Sequence, residues 1–449
     1  MPDLVIRRAD VVTPNSIIRA DIAIEGEHIS AVGTDLPGAS QEFDATGLTI
    51  FPGLIDIHVH FNEPGRTEWE GAKTGSSALA AGGGTMFIDM PLNSSPCTVT
   101  AAAFDAKRAA LEAASVTDFG LWGGIIPGNA ASLPDMADRG AIGFKAFLCD
   151  SGLPEFPRSD DETLYTAMKV AAGLGLPVLV HAENEETTKA ITQRLMDAGQ
   201  SDVRAFLASR PIAAEVEAIS RAGRMARETG CSLHVVHISS GSGVAAALEA
   251  RTAGADVSVE TCPHYLFFTG DDMLRIGAVA KCAPPLRSSQ EQAPLWKALV
   301  RGDVDMVGSD HSPCHPELKE RANFFEIWGG IAGVQSTLPA LLDAGLHERG
   351  VTPEQLARLI AGNASRRFRL TNRGSIRPGF YADLALVNLK DSREVTADSL
   401  LQRHRISPYI GRTLRGSVRA TFRRGERICF DGEITATTPG RFVRPGKGS

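Results

Sequence analysis

The 449-residue chain has seven cysteines, at positions 97, 149, 231, 262, 282, 314 and 429, and none of them form a Cys-x-x-Cys pair. An odd, scattered set argues against a disulfide framework and against a thiolate zinc site. Any metal here is therefore expected on nitrogen and oxygen ligands. The chain also lacks a run of roughly 18 apolar residues, so no membrane span is expected. Its first residues, MPDLVIRRAD, lack the apolar core of a secretory signal, and the expectation is a soluble cytoplasmic protein. No cluster of Lys and Arg stands out along the sequence, and the formal net charge of −7 is mild for this size. A phosphate-binding surface is not expected, and nucleic acid is a poor partner. There is no internal repeat of 20 to 50 residues beyond a loose β/α alternation, and no low-complexity tract.

What is present is enough apolar sequence, 43% of residues, for one large domain and a smaller one. Residues 1–50 are short, β-branched segments broken by turns (LVIRRADVVT, ADIAIEGEHISAVG), the texture of a small antiparallel sheet. From 51 to 373 the pattern changes to apolar runs alternating with Ala-rich amphipathic stretches. The runs are PGLIDIHVH, GGTMFIDM, DFGLWGGII, GAIGFKAFL, PVLVHAE, LHVVHISS, DVSVETCPH and VDMVGSDH. Continuous apolar strands separated by helices indicate a parallel sheet covered on both faces, and eight of them favour an α/β fold of the (β/α)8 TIM-barrel type. Residues 374–449 return to strand and turn. Both termini are expected to meet as one β-sandwich beside the barrel.

In PGLIDIHVHF the apolar run ends in His58 and His60, which as i and i+2 of an extended segment share a face and can grip one cation. The other runs carry polar tips where barrel enzymes place their active sites: Lys145 in GAIGFKAF, His181 in PVLVH, His237 in LHVVH and Asp310 in VDMVGSD. A lone histidine at a strand end is more often a hydrogen-bonded structural residue. Six such groups on one predicted rim are harder to dismiss. A protonated lysine cannot ligate a cation, but desolvation beside metal ions lowers its pKa, and a neutral amine adds carbon dioxide to give a carbamate able to bridge two metals. The alternative for Lys145 is a surface or salt-bridged lysine. Imidazole, carboxylate and carbamate oxygen suit two borderline cations such as zinc. Two such ions about 3.5–4 Å apart lower the pKa of a shared water from 15.7 towards 7, which is hydrolytic chemistry. Asp310 is placed to take the water's proton and pass it to a leaving nitrogen.

With these residues the chain resembles the cyclic amidohydrolases, the group of dihydroorotases, hydantoinases and allantoinases, over essentially its whole length. The resemblance implies one metal on His58, His60, Lys145 and Asp310 and the other on Lys145, His181 and His237, with Lys145 as N6-carboxylysine and Asp310 as catalytic base. Dihydroorotases carry an arginine two residues after the second histidine; here that position is Asn62. Hydantoinases and dihydropyrimidinases carry a tyrosine five residues after the bridging lysine; here it is Asp150. The segments FNEPGRTEWEG, DMPLNSSP, KCAPPLR, SDHSPC, WGGIAGVQ and HRISPYIGRT look instead like the allantoinase branch. That implies ring-opening of allantoin, a small uncharged substrate needing no arginine clamp, in a homo-oligomer, often a tetramer. The rivals are a hydantoinase, a dihydropyrimidinase or dihydroorotase, and a scaffold relative without metals.

Asn62, Asn93, Ser151, Cys282 and Ser312 are candidates for substrate contact. Asn93 serves equally well as a turn asparagine, and Cys282 as buried packing. His311 is expected on the opposite face from Asp310, in a supporting role, and Glu183 is expected to orient His181. His28, His234, His264, His347 and His404 read as structural or exposed.

Overall fold

The computed structural model describes residues 1–446. The eight apolar runs form the barrel strands Leu54–Val59, Gly84–Asp89, Asp118–Leu121, Phe144–Phe147, Val178–His181, Leu233–Val235, Val257–Thr261 and Met306–Val307, the third resuming at Gly123–Gly124. Neighbours pair in parallel around the ring. Closure comes from a parallel bridge between Val59 and His311, where the His60 amide donates to the His311 carbonyl over 2.8 Å. Six-residue strands such as LIDIHV and GTMFID are buried at every position, as a strand covered by side chains inside and helices outside must be. The third strand breaks at Trp122, whose buried indole N–H donates to the Ile57 carbonyl at 2.9 Å. The covering helices carry ordinary caps. Asp160 accepts the Thr163 amide at the head of Asp161–Leu174, and Gly175, at φ 63°, closes it.

Both ends of the chain build the second unit. Its nine strands are hydrogen-bonded as one continuous sheet, in which Thr49–Pro52 lies between Leu4–Val12 and Leu384–Glu394. The N-terminal portion is therefore mixed rather than antiparallel: Gln41–Asp44 and Thr49–Pro52 both run parallel to Leu4–Val12. It also extends to Pro52, just beyond the expected limit at 50. Ile6, Val11, Ile22, Ile50, Leu384 and Phe422 form part of an apolar core separate from that of the barrel. The C-terminal tail crosses to the barrel, where the Phe119 amide donates to Arg441 and the Val443 amide to Phe119. All seven cysteines are free and buried. Among the described residues no helix is long and apolar enough to cross a membrane.

The two units are joined by a buried ion cluster. Asp118, on the third barrel strand, pairs with Arg373 at 2.5 Å and with Arg424, while Arg373 also holds Asp383. Burial alone raises a carboxyl, but these guanidiniums hold Asp118 below the usual range. Asp118→Ala leaves two buried cations short of a partner and should cost about 3–5 kcal/mol. Denaturant unfolding monitored by circular dichroism checks this; an unchanged midpoint removes the cluster from the stability of the fold.

Candidate active site

The first strand delivers His58 and His60 to the C-terminal rim, and the eighth delivers Asp310 against them. Gly308 permits this approach, since a Cβ there would lie 2.9 Å from that of His58. Asp310 Oδ1 lies 3.2 Å from His58 Nε2 and 3.4 Å from His60 Nε2. The fifth and sixth strands bring His181 Nδ1 to 3.0 Å from His237 Nε2. The His58 and His237 rings are 5.3 Å apart, so the two pairs form one cluster. Donor atoms of His58, His237 and Asp310 all lie within 4.8 Å of one another.

Burial disfavours the charged forms of His60, His181 and His237. It pushes His60 down to about 4, lowers His181, and takes His237 well below its ordinary value. Burial works the other way on Asp310, but His58 and His60 outweigh it and hold the carboxylate ionised. Neutral ring nitrogens facing an ionised carboxylate make a donor set for cations. Lys145 lies fully buried in the fourth strand, and burial pulls its amine down to about 8. Its charge acts on His60, His181 and His237, and among the described residues its Nζ has no hydrogen-bond partner. A partnerless buried amine beside lone pairs that lack protons is what a bridging carbamate and two cations would satisfy, so the residues present fit the group.

Backbone conformation marks the same place. Ten non-glycine residues among those described have positive φ, and Asn62 (63°), Asn93 (70°), His237 (39°) and Asp310 (46°) are four of them. Strain at a histidine and an aspartate persists where surrounding contacts impose it, and it concentrates at functional sites.

The cluster floors a cavity of about 510 Å³, walled by Asn93, Ser151, Cys282 and Ser312 as well as by Phe147, Phe325 and Trp328. Asn93 Nδ2 donates to Ser312 Oγ at 3.3 Å, linking two of the candidates. Ser151 Oγ is engaged by its own loop, donating to the Phe156 carbonyl at 2.6 Å. Burial pushes the Cys282 thiol up to about 12, as in an inert packing cysteine. Asn62 is fully buried behind the wall, its amide donating to the Pro313 carbonyl at 3.1 Å. His311 holds Glu70 and accepts the Gly333 amide, away from Asp310.

Two supporting groups had no sequence reading. Glu260, in the seventh strand, accepts from His58 Nδ1 at 2.8 Å and His234 Nε2 at 3.0 Å, and so aims His58 Nε2 at Asp310. Its signal was an acid inside an otherwise apolar run. Arg210 pairs with Glu183, which binds His181 Nε2 at 2.8 Å and leaves Nδ1 facing His237.

The amidohydrolase family model matches residues 49–428 of the chain. The chain belongs to the amidohydrolase family. An allantoinase of Solibacter usitatus is 60% identical, over 99% of this chain and 97% of that protein, and one from Rubrobacter xylanophilus is 51% identical over 99% and 98%. Among solved structures, an L-hydantoinase (dihydropyrimidinase) from Arthrobacter aurescens superposes with a TM-score of 0.96 at 32% identity, covering 99% of this chain and 100% of that one. The dihydropyrimidinase of Brevibacillus agri gives 0.91 at 28% identity, covering 98% of each chain. Amidohydrolases are in general binuclear-metal enzymes, and this amidohydrolase carries a donor cluster of that kind. Glu260→Gln should weaken its metal affinity about 10- to 100-fold by freeing the His58 ring. Competition with a chromogenic chelator measures that change, and unchanged affinity makes Glu260 a purely structural residue.

Proposed function

We propose that the chain is an allantoinase, a metal-dependent cyclic amide hydrolase that opens the hydantoin ring of allantoin with water to give allantoate. What carries this reading is full-length identity of 60%, 51% and 48% to proteins named allantoinase, against 26–32% to hydantoinases and dihydropyrimidinases of the same fold. Two sequence positions support it. The position five residues after Lys145 is Asp150 rather than tyrosine, and Asn62 is not an arginine clamp, as suits an uncharged substrate.

His58, His60, Asp310 and a carbamate on Lys145 would hold one cation, and the same carbamate with His181 and His237 the other, zinc being the best match to these ligands. Bound there, the pair supplies Lewis acidity to the amide carbonyl and makes hydroxide available near neutral pH. The ionised Asp310 accepts the water's proton as oxygen bonds to the carbonyl carbon. It returns that proton to the ring nitrogen as the C–N bond breaks. Asn93 and Ser312 offer hydrogen bonds to the carbonyl or ureido group, Ser151 and Cys282 line the same cavity, and Asn62 stands behind it on the Pro313 carbonyl. Phe147, Phe325 and Trp328 limit water beside the reacting atoms. The enzyme acts in allantoin degradation as a cytoplasmic homo-oligomer, a tetramer, which light scattering tests.

The deciding experiment is a panel of allantoin, dihydroorotate, dihydrouracil and hydantoin offered to metal-reconstituted enzyme. Allantoin should exceed each of the others in kcat/KM by at least about 10²-fold. Faster turnover of hydantoins or dihydrouracil reassigns the chain to the hydantoinases, and fewer than one ion per chain under metal-replete conditions favours a scaffold.

A further inference from the structure

Contrary to the expectation of no basic cluster, residues 358–377 hold six arginines and no acid, and folding gathers part of this stretch at the far end of the barrel. A cleft of about 690 Å³ opens beside Pro52, where the chain enters the first barrel strand, whereas the candidate active site lies beyond the strands' C-terminal ends. Arg358, Arg366 and Arg377 line it. None of their guanidiniums donates a hydrogen bond to, or pairs with, an acid among the described residues. Arg377 instead lies over the Phe380 ring, 4.0 Å from its centre, which fixes its direction. Arg373 also reaches the wall, but Asp118 and Asp383 occupy its guanidinium. Among the described residues the wall's single carboxylate is Glu354, so cations outnumber acids.

The cleft is also short of acceptors. Ser375 Oγ is buried and has no partner among the described residues. The adjoining backbone, residues 371–377, turns through left-handed conformations at Asn372 (φ 57°) and Gly374 (φ 75°), and none of its amides donates to an acceptor among the described residues. Unpaired like charges in a concavity repel one another, and a buried hydroxyl without a partner is unfavourable. An oxyanion answers both. Guanidinium forks match its oxygens two at a time, and turned backbone with free amides makes an anion-binding concavity.

We propose that this cleft binds a phosphate group, held by Arg358, Arg366 and Arg377 with the Ser375 hydroxyl beneath. Three free guanidiniums on a chain of net charge −7 fit a single phosphate rather than a nucleic-acid strand. Isothermal titration of the full chain with inorganic phosphate, and separately with glycerol phosphate, tests the site and distinguishes free phosphate from a phosphate ester. Metal-stripped protein is used, so that the catalytic cluster cannot itself collect the anion, and thermal shift gives a second readout. One saturable site per chain is expected, weakening as salt rises. Arg358→Gln with Arg366→Gln should bind at least about tenfold more weakly, with an unchanged melting temperature in the absence of phosphate and unchanged allantoin turnover in metal-loaded protein. Ser375→Ala should weaken binding as well. Absence of saturable binding by the parent, or undiminished binding by the double arginine variant, overturns the proposal.

Discussion

Replacing Asp310 with Asn should lower allantoin turnover by about 10³-fold or more while leaving the fold in place. The carboxylate sits on the rim, within 3.2 Å of His58 Nε2 and 3.4 Å of His60 Nε2, at the end of a strand whose backbone is already set by Gly308 and the barrel closure. Asn preserves the shape and one ligating oxygen but cannot take a proton from water or return one to nitrogen. Because His58 and His60 hold the native carboxyl ionised, the base form is present throughout the neutral range, and the loss should be nearly independent of pH there. Asp310→Ala removes the proposed ligand as well and should also reduce bound metal. Steady-state appearance of allantoate, with elemental analysis of the same samples, separates the roles. Metal retained without turnover marks the proton-transfer role, and metal lost marks ligation. Near-normal turnover by either variant takes Asp310 out of the mechanism.

The strand tips were legible because a buried parallel strand writes itself as an apolar run, and a polar residue at its end is conspicuous. His58, His60, Lys145, His181, His237 and Asp310 all stood out in this way, although 252 residues of sequence separate the first from the last. Of their supports, Glu183 was legible beside His181, but Glu260 and Arg210 were not. Glu260 is joined to His58 across 202 positions, and Arg210 reaches Glu183 from a different helix boundary, so only the closed barrel shows the pairing. Asn62 looked like a substrate contact from its distance to His60, but its positive φ turns the side chain to Pro313 behind the wall. The mixed N-terminal sheet was hidden for a related reason. Alternation gives a strand's faces and not its neighbours, and Thr49–Pro52 is drawn between strands from opposite ends of the chain. The three arginines of the far cleft lie within the stretch 358–377, but only the packing of helix and loop shows that they line one wall.

Lys145→Ala should abolish allantoin turnover together with binding of the metal pair, and short carboxylic acids should restore part of both. Lys145 is fully buried, and among the described residues nothing accepts from its Nζ, so as a plain ammonium it would be an unpaired charge of the kind folded proteins avoid. Burial brings the amine down to about 8, so a fraction is neutral near pH 7 and can attack carbon dioxide. Carbamylation would form the N–C bond, release the amine proton to solvent and leave an anion. That would convert the least suitable member of the cluster into one able to serve both halves, between His58, His60 and Asp310 on one side and His181 and His237 on the other. Alanine leaves a cavity where acetate or propionate can enter and offer the same two oxygens. Rescue that saturates with acid concentration, with metal content rising in parallel, is the expected result. A parent stripped of bicarbonate and metal should recover activity faster when bicarbonate accompanies the added metal. If Lys145→Ala keeps its metals and its rate, the lysine is a packing residue. If metal and rate are lost but neither carboxylic acids nor bicarbonate has any effect, the carbamate is wrong and the amine supports the cluster in another way.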